Sequence, residues 1–293
     1  KKDVYEDFYP MIKLLEKKLN KKIVFFYSEN YENILEEFKK SQIDLAYLGP
    51  LPYLKLQEQC EFLEPLVFFK NENDSKFYTC SLVKFIKSEN IKKVALTQPL
   101  STCGYLAVNS LLNNKLQDYK YKYLGKHDEV ALSIIKGEYD IGGVKTSIVK
   151  DYYHLGLEEI SRTDNLPGFT LVGNSKTLSK NELNELQNIL LNINKQEYST
   201  WGKEIKYGME KVFDEDYDEL RKMFKNLDIP KKDNFNDKIL VKLIYFTTFF
   251  EINLVVSILF CTFVIIYIES ILLILDKNLI IHHHLLDLQS IHY

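Results

Sequence analysis

Residues 97–112, which read TQPLSTCGYLAVNSLL, carry residue types that could bind a small anion. Ser101 and Thr102 offer adjacent hydroxyls just before apolar residues at near-helical spacing, and Gly104 would let the backbone approach a ligand closely. The first amides of a helix lack intrahelical partners, and the helix dipole places about half a positive charge there. The pattern predicts a cradle of neutral donors for a tetrahedral oxyanion, with ordinary helix capping as the alternative.

Two further stretches place polar side chains beside the ends of predicted elements. Tyr47 ends the strand predicted within DLAYLGPLPY (44–53), at the edge where open α/β sheets bind ligands. The alternative for Tyr47 is a half-buried aromatic residue. His127 stands just before Asp128, a predicted N-cap, so its imidazole would lie near another helix N-terminus, and a plain surface histidine is the alternative.

The elements that must position these residues alternate in type along the chain. Helical spacing over 8–19, a β-prone run over 21–28, an amphipathic run over 31–40 and a buried strand over 43–49 predict helix, strand, helix, strand. This order is typical of an α/β domain with a largely parallel sheet.

The alternation restarts after the apolar, β-prone residues 61–87. Strands are predicted over 92–98, 121–125 and 139–145, with helices after Ser101 and over 128–137. A capped helix over 177–193 then opens a helical stretch that reaches about residue 227. The predicted fold is α/β and two-lobed, each lobe a mixed sheet flanked by helices: lobe 1 in residues 1–88, lobe 2 in 89–175, and a helical return completing lobe 1 in 176–234.

Residues 235–293 contain a different kind of sequence. The tract 252–268 has 17 residues without a charge and is extended by ILLIL (271–275), which predicts a transmembrane helix with a buried core helix as the alternative. The lysines before the tract favour a cytoplasmic N-terminal side, but an exported domain crosses largely regardless of such charges. The last residues are predicted to be a short juxtamembrane tail, although His282–His284 could hold a metal or belong to a tag.

Composition and charge narrow the class of protein. A net charge of -3 gives no electrostatic footprint for nucleic acid, and the 293 residues, 46% of them hydrophobic, suffice for one or two cores. The chain opens at Lys1 without an apolar signal segment, so we expect a processed or trimmed product. The four cysteines show no CxxC spacing; Cys60 and Cys80 could pair in an oxidising compartment or remain separate buried thiols.

Motifs for catalysis are missing from the sequence. We find no P-loop, no HExxH, no nucleophile elbow and no carboxylate cluster suited to Mg²⁺. The densest acidic run, at 214–218, lies in the predicted helical region and favours a solvated face. We therefore predict no catalytic residue, no metal and no cofactor, and keep a phosphate-ester hydrolase as the alternative from another class.

Three segments together resemble a known family. QIDLAYLGPLPY, STCGYLAVNSLL and GKHDEVALSIIKGEYDIGGV, in this order and spacing, resemble periplasmic phosphonate-binding proteins of the PhnD type, which serve ABC importers. The resemblance covers roughly residues 5 to 225. It implies a type 2 periplasmic-binding-protein fold and a periplasmic protein that closes on a phosphorus oxyanion between its lobes.

The resemblance also implies which residues bind. Ser101, Thr102 and Gly104 match the family's Ser-Thr-Ser-Gly motif, while Cys103 replaces the third hydroxyl with a thiol, a weaker donor. His127 matches a histidine that contacts the oxyanion. Two aromatic positions around the ligand match Tyr47 and Tyr78.

The segment after Asp140 departs from family members that bind aminoalkyl phosphonates. It offers Lys145 and no carboxylate for an amine, so we favour phosphate, phosphite or another small oxyanion. Implied partners are this anion, an ABC permease or a membrane signalling partner, and the inner membrane through residues 252–275; no nucleic acid is expected. Uptake is the leading interpretation, and the sensing domain of a membrane-anchored receptor is the alternative.

Overall fold

The computed structural model describes residues 2–87 and 91–235 of the chain. The predicted transmembrane segment and the tail lie outside these residues. Within them, no helix combines the length and the apolar character that crossing a membrane requires.

Nine α-helices and eleven strands can be assigned in the described residues. The helices are α1 Lys2–Leu19, α2 Tyr31–Lys39, α3 Pro50–Gln57, α4 Ala107–Leu111, α5 His127–Ile135, α6 Thr146–Val149, α7 Lys180–Leu191, α8 Lys195–Tyr198 and α9 Asp218–Phe224. The strands are β1 Leu45–Leu48, β2 Leu63–Phe69, β3 Phe77–Tyr78, β4 Cys80–Phe85, β5 Lys93–Leu96, β6 Lys120–Tyr123, β7 Ile141–Lys145, β8 Leu157–Arg162, β9 Leu166–Pro167, β10 Thr170–Asn174 and β11 Met209–Lys211. A π-helical turn, Thr102–Leu106, precedes α4 directly.

The strands form two main sheets, one for each lobe. The first has the order β1-β10-β2-β11, and every pair in it is antiparallel. The second has the order β6-β5-β7-β4-β8 and is mixed, because β5 runs parallel to β6 and β7 while β4 runs antiparallel to β7 and β8. The two-lobed α/β prediction agrees with this arrangement. The expectation of parallel pairing in the first lobe is wrong, because β10 returns between β1 and β2.

The strand predicted over residues 21–28 is also wrong. The segment alternates as a strand would, with Val24 84% and Phe26 49% exposed, and Phe25 facing the rings of Tyr5 and Phe8 at 5.3 and 6.2 Å. It belongs to no sheet in the described part of the chain. β-Propensity is a local property, whereas a ladder also needs a partner strand, which sequence alone did not supply.

The points at which the chain crosses between the lobes differ from the predicted lobe boundaries. β4 lies in the second sheet and β10 in the first, so the chain crosses after β2 and returns before β10, rather than at residues 88 and 175. The small sheet of β3 and β9 lies at these two crossings, where Tyr78 pairs with Leu166. Strand hydrogen bonding decides which lobe a segment joins, and this pairing is non-local.

A glycine in β7 allows the π-helical turn to lie directly on the second sheet. A Cβ on Gly143 would come within 2.2 Å of the Cys103 carbonyl oxygen and 2.3 Å of a Val108 methyl group. Any side chain there would push the turn away from the sheet. The predicted anion-binding turn is therefore positioned by close backbone packing as well as by its own sequence.

Candidate ligand-binding site

Ser101 starts the helical turn without capping it. It occupies the N-cap position with extended backbone (φ -74°, ψ 128°), yet its side chain makes no capping hydrogen bond. The residue is partly exposed, whereas the five residues of the turn are buried. Its hydroxyl is therefore not used by the helix, which disfavours the simple capping interpretation.

The hydroxyl of Thr102 joins the two lobes. Its Oγ1 accepts a hydrogen bond from the backbone N–H of Leu51 at 3.2 Å, and the side chain of Thr102 also interacts with the Tyr78 hydroxyl. Leu51 lies in the first turn of α3, whose N-cap Gly49 has no side chain to cap it and whose first residue is Pro50. Two helix starts, one from each lobe, therefore meet at Thr102.

Gly104 is needed for packing inside the turn. A Cβ at this position would lie 2.7 Å from the Gln98 carbonyl oxygen and 2.8 Å from the Thr97 hydroxyl. That Thr97 hydroxyl is buried without a hydrogen-bond partner in the described part of the structure. The glycine that sequence analysis assigned to ligand approach thus closes the loop over Thr97 as well.

Cys103 forms a disulfide with Cys80, with a Cα–Cα distance of 5.1 Å. The predicted free thiol at Cys103 is therefore wrong. Of the two alternatives for Cys60 and Cys80, that of separate buried thiols holds for Cys60, which is free and buried, whereas Cys80 is bonded. Each bonded cysteine directly follows a candidate site segment, FYT or ST. If both segments reach one ligand, their cysteines must come close, and that signal could have revealed the bond.

His127 is the first residue of α5, and its ring is held by the adjacent strand. Nδ1 accepts the backbone N–H of Lys145 at 3.2 Å, so the neutral ring carries its proton on Nε2. Burial, followed by the charge of Lys145, lowers the pKa of His127 to about 4. The imidazole is therefore an uncharged N–H donor at neutral pH.

Asp128 does not cap α5 as predicted. The N-cap is Lys126, and its backbone N–H contacts Glu129 Oε2 at 3.4 Å, while Asp128 accepts the Tyr152 hydroxyl at 2.8 Å. Lys126 has extended backbone, so the helix begins one residue before the polar side chain that looked like its cap.

Tyr47 and Tyr78 lie in aromatic surroundings. The Tyr47 ring contacts Phe8 and Phe169 at 5.0 Å each and Phe69 at 5.3 Å, with Phe169 stacked on it. Burial raises the pKa of Tyr47 and of Tyr78 well above the usual value, so both hydroxyls stay protonated. This packing agrees with the half-buried aromatic interpretation of Tyr47; a contact of its hydroxyl with ligand stays a prediction.

Lys145 connects these groups and was not among the predicted site residues. Its Nζ lies 5.6 Å from the ring centre of Tyr78 and 5.9 Å from that of Phe169. A continuous set of contacts therefore runs from Tyr47 through Phe169, Lys145 and Tyr78 to Thr102. The structure brings all seven predicted site residues into this one region, since Ser101, Cys103 and Gly104 flank Thr102 and His127 bonds Lys145.

The acidic run singled out in the sequence is engaged in ion pairs. Asp216 of the acidic run forms a salt bridge with Lys76 at 2.9 Å, and Asp214 and Asp218 contact Arg221. No group of three or more histidine, cysteine or acidic residues suited to a metal ion occurs in residues 2–87 and 91–235. A cavity of about 800 Å³ lies at the opposite end of α3, beside Gln57 and Arg221.

Comparison with known proteins defines the class. Residues 1–217 match the family described as the periplasmic, phosphonate substrate-binding protein of ABC transporters. The chain belongs to this family, which confirms the resemblance inferred from its motifs. Because the family consists of substrate-binding proteins, the prediction that the chain is not an enzyme is also confirmed.

Sequence comparison with an individual protein agrees with this family assignment. The chain is 27% identical over 160 residues to the phosphate-import protein PhnD of Mycolicibacterium smegmatis, a match that covers 48% of this chain and 50% of that protein. It thus spans about half the length of that relative.

Two solved structures share the fold. PhnD1 from Prochlorococcus marinus, in complex with methylphosphonate, superposes with a TM-score of 0.63 at 17% identity, covering 76% of this chain and 92% of that one. A binding-protein component of an ABC phosphonate transporter from Pseudomonas aeruginosa gives 0.61 at 15% identity, covering 76% and 81%. At these identities the likeness establishes the two-lobed fold alone.

Proposed function

We propose that this protein captures a small phosphorus oxyanion between its lobes and delivers it to an ABC permease. The observation that carries the proposal is that neutral hydrogen-bond donors from both lobes come together in one region. The Ser101 hydroxyl is free of capping, Thr102 joins the two lobes, and the uncharged His127 lies within the same set of contacts. Relatives that import phosphate or hold methylphosphonate favour phosphate, phosphite or a simple phosphonate as the ligand.

The donors suit an oxyanion for a physical reason. Desolvating a charged oxygen is costly unless each lone pair meets a donor, and donors fixed in advance lose little entropy on binding. The turn is fixed by the Cys80–Cys103 bond and by packing on Gly143, and the His127 ring by Lys145. The α3 amide now bonded to Thr102 would add a donor from the first lobe.

Titration calorimetry with phosphate, phosphite and methylphosphonate tests the proposal. Replacing Ser101 and Thr102 together by alanine removes two hydrogen bonds to a charged ligand, so affinity should fall by roughly a hundredfold or more. Ser199 and Thr200 form a matched adjacent pair whose hydroxyls donate to the backbone of α8 at 3.1 and 2.8 Å. Alanine at this second pair should leave affinity unchanged; equal effects of both double variants would overturn the site.

We further propose that residues 252–275 anchor the binding domain to the inner membrane. The support is the uncharged tract itself, which approaches the length of a span. A tethered domain could also serve as the sensing half of a receptor, which is the alternative to uptake. Fractionation of the full chain tests the anchor, which requires the protein in membranes after an alkaline wash; recovery in the soluble fraction would refute it.

A further inference from the structure

In the described residues, Lys145 places a cation beside the neutral donors of the candidate site. Lys145 ends β7, and its side chain is only 18% exposed. Its Nζ contacts two aromatic rings, 5.6 Å from the ring centre of Tyr78 and 5.9 Å from that of Phe169. Phe169 directly precedes β10 of the first sheet, so the cation of the second lobe faces an aromatic residue connected to the first.

The ion-pair partner of Lys145 is weakly held. Glu204 Oε2 lies 3.2 Å from Nζ, but the Glu204 side chain is 52% exposed and comes from the connection between α8 and β11. A half-exposed carboxylate keeps much of its hydration and gains little from such a pair. An oxyanion enclosed beside Thr102 would be desolvated and therefore a stronger partner for the same ammonium group.

The neighbouring carboxylates are engaged elsewhere. Asp128 accepts the Tyr152 hydroxyl at 2.8 Å, and Glu159 accepts from Arg162 at 2.9 Å. Around the described contacts of Tyr78, Thr102 and His127, Lys145 supplies the positive charge, while Asp128 next to His127 and Glu204 beside Lys145 supply negative charge. Because Asp128 is already bonded to Tyr152 and Glu204 to Lys145, neither carboxylate is preset to bind a ligand ammonium group.

We propose that Lys145 is the specificity-determining residue of the site, selecting compact oxyanions without an ammonium group and rejecting zwitterionic aminoalkyl phosphonates. This inference rests on the proposed function. Lys145 acts twice: its backbone N–H fixes the His127 ring, and its Nζ supplies attraction to the oxyanion and repulsion to a ligand ammonium group. Substitution of the side chain leaves the backbone role intact, so charge can be tested apart from ring orientation.

The experiment is calorimetry on the full chain with methylphosphonate and 2-aminoethylphosphonate at several salt concentrations. The original protein should prefer methylphosphonate by about tenfold or more, since a like charge inside a desolvated site is strongly unfavourable. Lys145→Met should weaken methylphosphonate binding about tenfold and largely abolish the preference, and Lys145→Glu should reverse it. Lys176→Met is the matched control, because Lys176 Nζ also lies over an aromatic ring, that of Phe62, at 3.9 Å.

A second variant keeps the test decisive if Lys145 variants fold poorly. Glu204→Gln alters a half-exposed side chain and removes the competing carboxylate, so methylphosphonate should bind more tightly and the preference should grow. Unchanged preference in Lys145→Met, or weaker methylphosphonate binding in Glu204→Gln, would overturn the inference while the anion site stands. If the original protein binds no oxyanion at all, the proposed function itself fails.

Discussion

Two helix starts in this molecule begin with serine and use it differently. At α7, Ser179 accepts the backbone N–H of Glu182 at 3.3 Å and donates its own N–H to the Glu182 carboxylate at 2.8 Å, a complete capping box. At the π-helical turn, Ser101 makes no such bond. The α7 start is held by local hydrogen bonds, whereas the Ser101 turn is held from outside and keeps its donors available.

The difference separates two interpretations that the sequence leaves open. A serine before an apolar helical run is equally consistent with a cap and with a ligand donor. The two interpretations differ in whether the serine side chain makes a capping hydrogen bond and in which other contacts hold the turn. At Ser101 the Cys80–Cys103 bond, the close contact with Gly143 and the Leu51 bond to Thr102 replace the missing cap.

Removing the disulfide should give the largest effect, because it lowers the stability of the fold and also releases the Ser101 turn. Replacing both Cys80 and Cys103 by alanine frees a loop with a sequence separation of 23, so the free energy of unfolding should fall by about 3 kcal/mol. Oxyanion affinity should fall as well, because the turn loses its tether. Denaturant unfolding and calorimetry, with and without a dithiol reductant, measure both.

The double variant supplies its own control. It should no longer respond to the reductant, whereas the original protein should lose stability and affinity when reduced. If reduction leaves oxyanion affinity unchanged, close packing alone holds the turn and the disulfide has no part in binding.

Lowering the pH should reduce the free energy of unfolding through His127 of the candidate site and through Glu182 of α7 in different pH ranges. The pKa of His127 is lowered to about 4 from 6.5 in the folded state, so its contribution to stability is present above pH 6.5 and is lost as pH falls towards 4. Hydrogen bonding and attraction from Lys21, then bonds from Ser179, lower the pKa of Glu182 to about 2, so that contribution is lost only below about 4.5. Unfolding measured from pH 7 to 3 should show the first window.

The variants assign each window to its residue. His127→Gln removes the titration and should flatten the slope above pH 4, which for one proton is at most about 1.4 kcal/mol per pH unit. Glu182→Gln should leave that part of the curve unchanged. A slope that survives His127→Gln would show that another group titrates there.

Much of the local structure follows from sequence pattern. Most predicted ends of helices and strands lie within two residues of the observed ends, because apolar spacing is a local signal. This holds for the ends of α1, α2, α5, α7, β1, β5, β6 and β7, apart from the starts of α1 and α7. Residues 21–28 have the same quality of signal yet join no described sheet. Their burial alternates as expected; what fails is the pairing, which depends on a distant partner.

The candidate site divides in the same way. Ser101, Thr102 and His127 carry a motif that can be read from neighbouring residues, and the structure places them together. The disulfide, the Leu51 amide and the Lys145 side chain are contacts between segments far apart in the chain, separated for Leu51 and Thr102 by 51 positions. Such contacts arise from tertiary packing; among them, the disulfide alone had a signal in the sequence, because each of its cysteines directly follows a candidate site segment.

The most direct test compares alanine at the two serines in one pair of assays. Ser101→Ala should weaken phosphate or methylphosphonate binding by about tenfold or more and leave the unfolding free energy within about 0.5 kcal/mol. Ser179→Ala should lower the unfolding free energy by about 1 kcal/mol and leave affinity unchanged. If Ser101→Ala instead destabilises the fold while oxyanion affinity is retained, Ser101 is an ordinary cap and the turn is not the anion site.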